Sequence, residues 1–303
     1  MATNDKELTG RISQSLSGYY DIVALDGKTY RTRARGNLRH TKQKPVVGDK
    51  VAFTVGDDAD HLGYLLRILP RQNVLQRPPV ANVDLAVVVT AVKEPELQLN
   101  LLDRQLLSLA QQDIQPIIYL AKTDLLAGDE WAALQPIIAG YEAIGYPVIA
   151  PEQSFAPTAL AALQGHFADK LVVVTGQTGA GKSTLLNHLA PTLALATNEI
   201  SSALNRGKHT TRRVNLYPLA GGLVADTPGF SAVDLDTIDK YQLPQLFPEF
   251  AALADQCRFR GCLHLQEPGC AVKAAVAAGT IMASRYADYE QFQAEAAARK
   301  PRY

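Results

Sequence analysis

Apolar and polar positions alternate in short runs over the first 75 residues: YYDIVALDG (19–27), KTYRTRARG (28–36), DKVAFTVGD (49–57) and GYLLRILPR (63–71), with Gly and Asp turn signals between them. Strand side chains point to opposite faces in turn, so this alternation predicts strands and the turn residues predict where they stop. A five-stranded barrel of the oligonucleotide-binding type suits these lengths. From about Val83 the runs become continuously apolar: DLAVVVT (84–90), QPIIYLAK (115–122), YPVIA (146–150), KLVVVTG (170–176) and GGLVADTPG (221–229). Helical spacing fills several gaps, as in NLLDRQLLSLAQQ (100–112) and GKSTLLNHLA (181–190). Such a pattern means a parallel α/β sheet covered on both faces, with ligands at the C-terminal ends of its strands. A chain of 303 residues is long for one core, so a multidomain protein is expected, divided as 1–75, 76–235 and 236–303.

The segment Gly176 to Thr184, GQTGAGKST, ends one of these strands and opens a helical stretch, and it fits the phosphate-cradling pattern G-x-x-x-x-G-K-[ST]. A backbone wrapped around phosphates must aim several N–H groups at one point, which Gly176, Gly179 and Gly181 permit and Gln177, Thr178 and Ala180 complete. Lys182 then neutralises the β and γ phosphates, the Ser183 hydroxyl binds Mg²⁺, and Thr184 closes the motif. This predicts a bound nucleoside triphosphate.

Hydrophobic residues make up 47% and charged residues 20%, ordinary for a folded globular chain, and 30 basic against 30 acidic side chains cancel. Attraction to nucleic acid must therefore come from uneven placement. Lys28 to Lys44 supplies it, with seven Lys or Arg and no acid. Alternation puts Arg31, Arg33 and Arg35 on one strand face and Tyr30, Thr32 and Ala34 on the other, with Arg39, Lys42 and Lys44 extending the patch. That stripe suits a nucleic-acid backbone; a solvated edge strand whose charges deter aggregation fits the segment equally well. Tyr19, Tyr20 and Tyr30 are the chief aromatics nearby, which favours backbone contact over base reading. The start, MATNDKELTG, has no apolar stretch, and no run approaches a membrane span, so a cytoplasmic protein without a membrane partner is expected.

Three further segments fit nucleotide chemistry. In LVADTPG (223–229), Asp226 ends a buried strand and can hold Mg²⁺ directly or through water, while the Gly229 N–H can meet a γ-phosphate. NRGKHTTRR (205–213) is polar, basic and without periodicity, and Thr210 or Thr211 could supply a second Mg²⁺ ligand. Ala121-Lys122-Thr123-Asp124 closes the strand PIIYL, where the Asp124 carboxylate can accept from the N1–H and 2-amino groups of guanine, a pattern adenine lacks.

All three cysteines of the chain fall in C-x4-C-x-H-x5-C: Cys257, Cys262, His264 and Cys270. Three thiolates and an imidazole make the closed tetrahedral set that structural zinc prefers, and three cysteines cannot pair completely as disulfides.

Together these motifs resemble the ribosome small subunit-dependent GTPase A family, circularly permuted GTPases of bacterial ribosome assembly, over nearly the whole chain. In ordinary GTPases the phosphate loop precedes the base-reading N-K-x-D motif. Here A-K-T-D, 121–124, comes first; R-G-K-H-T-T, 206–211, matches the family's switch loop and Asp226 to Gly229 its D-x-x-G. The resemblance implies an RNA-binding barrel (1–75), a permuted GTPase domain (76–235) and a zinc-binding C-terminal domain (236–303), helical from roughly Ala271 to Lys300, with one zinc per chain. It implies hydrolysis of GTP to GDP and phosphate in late maturation of the small ribosomal subunit, stimulated by that subunit. Implied partners are the subunit, its ribosomal RNA and other assembly factors, for a monomeric protein.

The usual Asn of the base motif is Ala121, the segment VIAPE (148–152) offers no S-A-K match, and Phe230 follows D-T-P-G where many GTPases keep a water-orienting Gln. The resemblance therefore points to His209 as the catalytic side chain beside Lys182. Two other readings stand: an RNA-binding assembly factor using nucleotide as a structural switch, and an ATP-using phosphate-loop enzyme.

Overall fold

Alternation in the N-terminal runs produces a closed barrel. A computed structural model describes residues 7–36, 43–55, 62–76, 79–191, 214–226 and 235–299. The chain divides into two units, the first Met1–Val87 with Pro157–Thr175 and Lys182–Phe230, the second Val88–Ala156 with Gly176–Gly181 and Ser231–Tyr303. In the first, β1 (Leu8–Leu16), β2 (Tyr19–Ala24), β3 (Thr29–Ala34), β5 (Gly63–Ile68) and β4 (Lys50–Thr54) pair in that order, and β4 returns to β1. Only the β3–β5 pairing is parallel. Ile12, Ile22, Val51, Phe53 and Leu65 fill the interior and are fully buried.

Strand β1 was not among the alternating runs. Its apolar residues Leu8, Ile12 and Leu16 lie four apart, a spacing that a helix face and a strand face share, so pattern alone does not mark it; the neighbouring strands impose its conformation. A register shift between Ile12 and Gln14 bends it, and Gln14 pairs beyond the barrel with Asn215.

That partner belongs to β12 (Asn215–Leu219), which forms an antiparallel hairpin with β13 (Gly222–Asp226) through Ala220 and Gly221, at φ 49° and 77°. Positive φ at both residues is the hairpin geometry that matches strand twist. The wholly parallel sheet expected from the sequence is thus corrected at this edge; Pro218, which donates no ladder hydrogen bond, had masked β12 as a strand. β13 runs parallel to β11 (Leu171–Gly176), which leads to α4 (Lys182–Leu189); α3 (Pro157–Gln164) precedes it. A small antiparallel pair, β6 (Val74–Gln76) and β7 (Pro79–Ala81), links the barrel to β8 (Leu85–Ala91), which is buried throughout.

In the second unit β9 (Gln115–Ala121) pairs in parallel with β10 (Val148–Ile149), flanked by α1 (Leu99–Ala110) and α2 (Gly128–Ile144). The C-terminal stretch adds the short turn α5 (Pro248–Ala251), α6 (Ala271–Ala277) and α7 (Ala283–Ala298). α7 buries Arg285, Tyr289, Phe292 and Gln293, the spacing of one helix face. Tyr289 and Phe292 join Phe247, Phe250, Val272, Ile281 and Leu107 of α1 in one apolar core. Among the described residues no helix is long and apolar enough to cross a membrane.

One buried charge organises this core. Arg285 is 1% exposed; its guanidinium bonds Glu249 at 2.8 and 3.1 Å and lies 2.9 Å from Asp103 of α1. The Tyr141 hydroxyl of α2 donates to the same Asp103 oxygen at 2.5 Å, and Phe247 lies under the guanidinium at 4.5 Å. Burial, with Asp288 alongside, pushes the Asp103 carboxyl up to about 7 against the pull of Arg285 and Tyr141. Glu249 thus serves as the full counter-charge, and Asp103 acts as a hydrogen-bonding neighbour.

Arg285→Ala strands two acidic side chains in the core, and chemical denaturation should register a loss of about 3–5 kcal/mol. Asp103 has a second consequence. Its folded value lies above the unfolded one of about 4, so the stability from keeping it neutral is complete below that pH and disappears as pH rises through about 7. Asp103→Asn should flatten the pH profile of the unfolding midpoint over that window; an unchanged slope would contradict the assignment.

Candidate functional site

The loop between β11 and α4 has the backbone that phosphate binding requires. Gly176, Gly179 and Gly181 have φ of 136°, 81° and 99°. At Gly176 a Cβ would stand 2.0 Å from the Val89 carbonyl oxygen of β8, so no other residue fits there. Ala180 is buried and its N–H turns back to the Gln177 carbonyl at 3.2 Å, while Thr178 and Gly179 face solvent. Lys182 and Ser183 open α4, with Lys182 half-buried and Ser183 and Thr184 exposed. Burial holds the Lys182 ammonium below its ordinary value, a cost that a bound anion would relieve.

Ala121 ends β9 and lies against this loop, and Lys122 to Asp124 follow it. A Cβ on Gly181 would be 3.9 Å from the Ala121 Cβ, which is ordinary contact distance. Ala121 is fully buried, so packing occupies the place where an Asn would offer a hydrogen bond. Lys122 takes a left-handed conformation, φ 61°, and its ammonium donates to the Glu94 carbonyl. Thr123 is buried with its hydroxyl on the Pro151 carbonyl, and the exposed Asp124 accepts a hydrogen bond from the Ser154 hydroxyl.

Ser154 is a candidate site residue that the sequence pattern does not reveal. The segment VIAPE (148–152) has no S-A-K match, yet the loop after β10 carries Ser154 to the Asp124 carboxylate. Phe155 beside it, at φ 63°, stacks on the Tyr119 ring with centroids 6.5 Å apart and donates its N–H to the Tyr119 hydroxyl at 3.3 Å. A single hydroxyl in a loop has no periodic signature; the left-handed Phe155 would have been the only hint, and it is visible only in three dimensions.

Asp226 closes β13. His209, Thr210, Thr211 and Gly229, with Phe230, lie outside the described residues, as do Arg39 and Lys42 of the basic stripe. Of the remaining stripe, Arg31, Arg33, Arg35 and Lys44 are exposed, and Thr32 between them is buried, so the alternation holds. Arg33 and Arg31 stack over the Tyr19 ring at 4.5 and 5.6 Å, and Arg31 also pairs with Asp21 at 3.1 Å. Tyr30 turns inward against Phe53, 5.4 Å between centroids, while Tyr64, exposed and paired with Arg33 across β3 and β5, stands with Tyr19 on the cationic face.

In the C-terminal region Cys257, Cys262, His264 and Cys270 bring one ligand atom each to within 4.8 Å of one another. The His264 Nδ1 faces the sulfurs, 3.3 Å from Cys270 Sγ and 3.6 Å from Cys257 Sγ. Backbone N–H groups of His264, Ala271 and Lys273 point at Cys262, Cys257 and Cys270 from 3.4, 3.4 and 3.5 Å. Burial pushes the Cys262 thiol up to about 12 and pulls the His264 imidazole below its ordinary value. A divalent cation reverses the first effect, because coordination deprotonates a thiol outright, and a neutral imidazole is the form that binds metal. The donor set fits a zinc-binding site. Its loop is tied down independently: Glu267 accepts from the Leu263 and Leu265 N–H groups at 2.8 and 2.9 Å, and the hydroxyls of Tyr286 and Tyr289 donate to the His264 and Leu263 carbonyls.

The chain is similar to known proteins. The family model described as RsgA GTPase matches residues 68–236, and that described as RsgA N-terminal domain matches 9–65. A protein of Limosilactobacillus reuteri named small ribosomal subunit biogenesis GTPase RsgA is 58% identical over 97% of this chain and 99% of its own length. One of the same name from Streptococcus pyogenes is 47% identical over 98% of each. Among solved structures, YloQ, described as a circularly permuted GTPase, superposes with a TM-score of 0.84 at 39% identity over 100% of this chain and 99% of that one. YjeQ from Thermotoga maritima gives 0.82 at 29% identity, covering 97% of this chain and 100% of its own.

Proposed function

The chain belongs to the RsgA GTPase family and is a GTP hydrolase, and we propose that it hydrolyses GTP to GDP and phosphate late in maturation of the small ribosomal subunit, stimulated by that subunit. The observation that carries this reading is the contact of two loops in inverted chain order. The segment 121–124, which we read as recognising the base, precedes the phosphate loop 176–181 in sequence, yet its first residue, Ala121, lies at contact distance from Gly181.

Amides of the phosphate loop and the Lys182 ammonium hold the β and γ phosphates and stabilise charge on the transferring group. Ser183, Asp226 and either Thr210 or Thr211 would hold Mg²⁺, which would supply further neutralisation of the phosphates. Asp124 accepts from the guanine N1–H and 2-amino group, and Ser154 fixes its carboxylate for that role. With no Gln after D-T-P-G, His209 orients the attacking water once the subunit has ordered its loop. Cys257, Cys262, His264 and Cys270 would hold one zinc ion per chain, and with all four ligands supplied by the protein the ion would serve the fold and not the reaction. Arg31, Arg33, Arg35 and Lys44 of the barrel, continued by Arg39 and Lys42, follow the ribosomal RNA backbone. The protein works as a cytoplasmic monomer alongside other assembly factors.

Phosphate release measured with GTP and with ATP, with and without purified small subunits, tests the reading. GTP hydrolysis stimulated by subunits is expected; preference for ATP, or nucleotide binding without subunit-stimulated release, would replace it with an ATP-using enzyme or a non-hydrolysing factor. His209→Ala should lower the stimulated rate about 100-fold with nucleotide affinity kept. Ser154→Ala should weaken GDP binding by about 1 kcal/mol, near fivefold, while the weak binding of ADP stays put. Chelation should raise protease cleavage around 257–270 and leave GDP affinity within a factor of about two; equal protease resistance after metal loss would remove zinc from the fold.

A further inference from the structure

The proposed chemistry gives no role to one buried polar group near the end of β9, the Tyr119 hydroxyl. Residues two apart in a strand share a face, so Tyr119 and Ala121 point to the same side. Both are fully buried, and the Ala121 methyl group cannot hydrogen-bond the loop that follows β10. Tyr119 does bond that loop. Its hydroxyl accepts the Phe155 N–H at 3.3 Å, and the two rings stack with 14° between their planes. Burial holds the phenol above its ordinary value, so the hydroxyl stays uncharged.

Phe155 depends on such a partner. Its φ of 63° lies in the left-handed region, which a bulky side chain occupies only where its surroundings hold it there. The Ala156 N–H closes a turn onto the Gln153 carbonyl at 3.1 Å, and the Thr123 hydroxyl donates to the Pro151 carbonyl. Between these ties lies Ser154, whose hydroxyl donates to Asp124. The course of the chain through Phe155 therefore decides where the Ser154 hydroxyl is presented. Tyr119 is a firm anchor for that course, because it sits inside the sheet in parallel register with Ile149 of β10.

We propose that Tyr119 is a positioning residue for base recognition: it fixes the loop carrying Ser154 and through it sets the Asp124 carboxylate toward guanine. The strand ends in Ala121 where an Asn would offer a hydrogen bond, and Tyr119, one step back on the same face, makes a tie that Ala121 cannot. This rests on the reading of Asp124 as the guanine acceptor, and adds the residue that orients it.

Affinities of the full-length protein for GDP and for ADP, measured by titration calorimetry, test it. Tyr119→Phe removes the hydroxyl and keeps the ring. It should weaken GDP about fivefold and leave ADP unchanged, so the preference for GDP falls by the same factor. In combination with Ser154→Ala the loss should stay near about fivefold, not multiply to about 25-fold, because both changes release the same carboxylate. Should Tyr119→Phe fold poorly, Phe155→Ala removes the stacked ring from a half-buried loop position and should cost GDP about threefold, with ADP again unchanged. An undiminished preference for GDP in Tyr119→Phe overturns the proposal, as do equal losses for GDP and ADP, the mark of general loosening, or multiplying losses in the double variant. Wild-type protein that binds ADP as tightly as GDP would instead sink the guanine reading, and the role of Tyr119 with it.

Discussion

The nucleotide machinery depends on a steric constraint at one backbone position. β11 brings Gly176 so close to the Val89 carbonyl that a side chain has no room. This approach lets the chain turn with positive φ at Gly176, Gly179 and Gly181, and such a turn presents consecutive N–H groups to a single anion. The turn also delivers Lys182 half-buried, its charge costly until phosphate arrives. The segment 121–124 needs no polar bridge to reach the same place: Ala121 packs against the loop, and the hydrogen bonds fall to Thr123, Asp124 and Ser154 further along.

The C-terminal region meets the same difficulty, buried polar groups that need partners, in two ways. Around Arg285 the partners are protein: Glu249 supplies charge, Asp103 and Tyr141 supply hydrogen bonds, and the guanidinium thereby joins α1, α2 and α7. Around His264 the protein supplies only donors to the sulfurs, and three thiols with an imidazole in a buried cluster call for a cation. The two centres share a core through Phe250, which packs edge-on to His264 at 5.8 Å and lies next to Glu249 in the chain.

Much of this was legible as pattern. Alternation gave β2 to β5, apolar runs gave β8, β9, β11 and β13, and the glycine spacing and the Cys/His spacing marked two sites before any coordinates. What escaped carried no distinguishing pattern: β1, with apolar residues four apart, β12 with Pro218 inside it, and Ser154 in a loop. These conformations come from neighbours, since hydrogen bonding to an adjacent strand or carboxylate overrides weak local preference.

The sequence by itself determined the chemistry, because phosphate and zinc sites demand particular residue types at short, fixed spacing, and such spacing survives in one dimension. Only the tertiary structure decided the partners. That Ser154 holds Asp124, and that Arg285 sits between two acids from separate elements, Asp103 and Glu249, both join residues far apart in the chain. Contacts of that kind arise from packing, which no local pattern encodes.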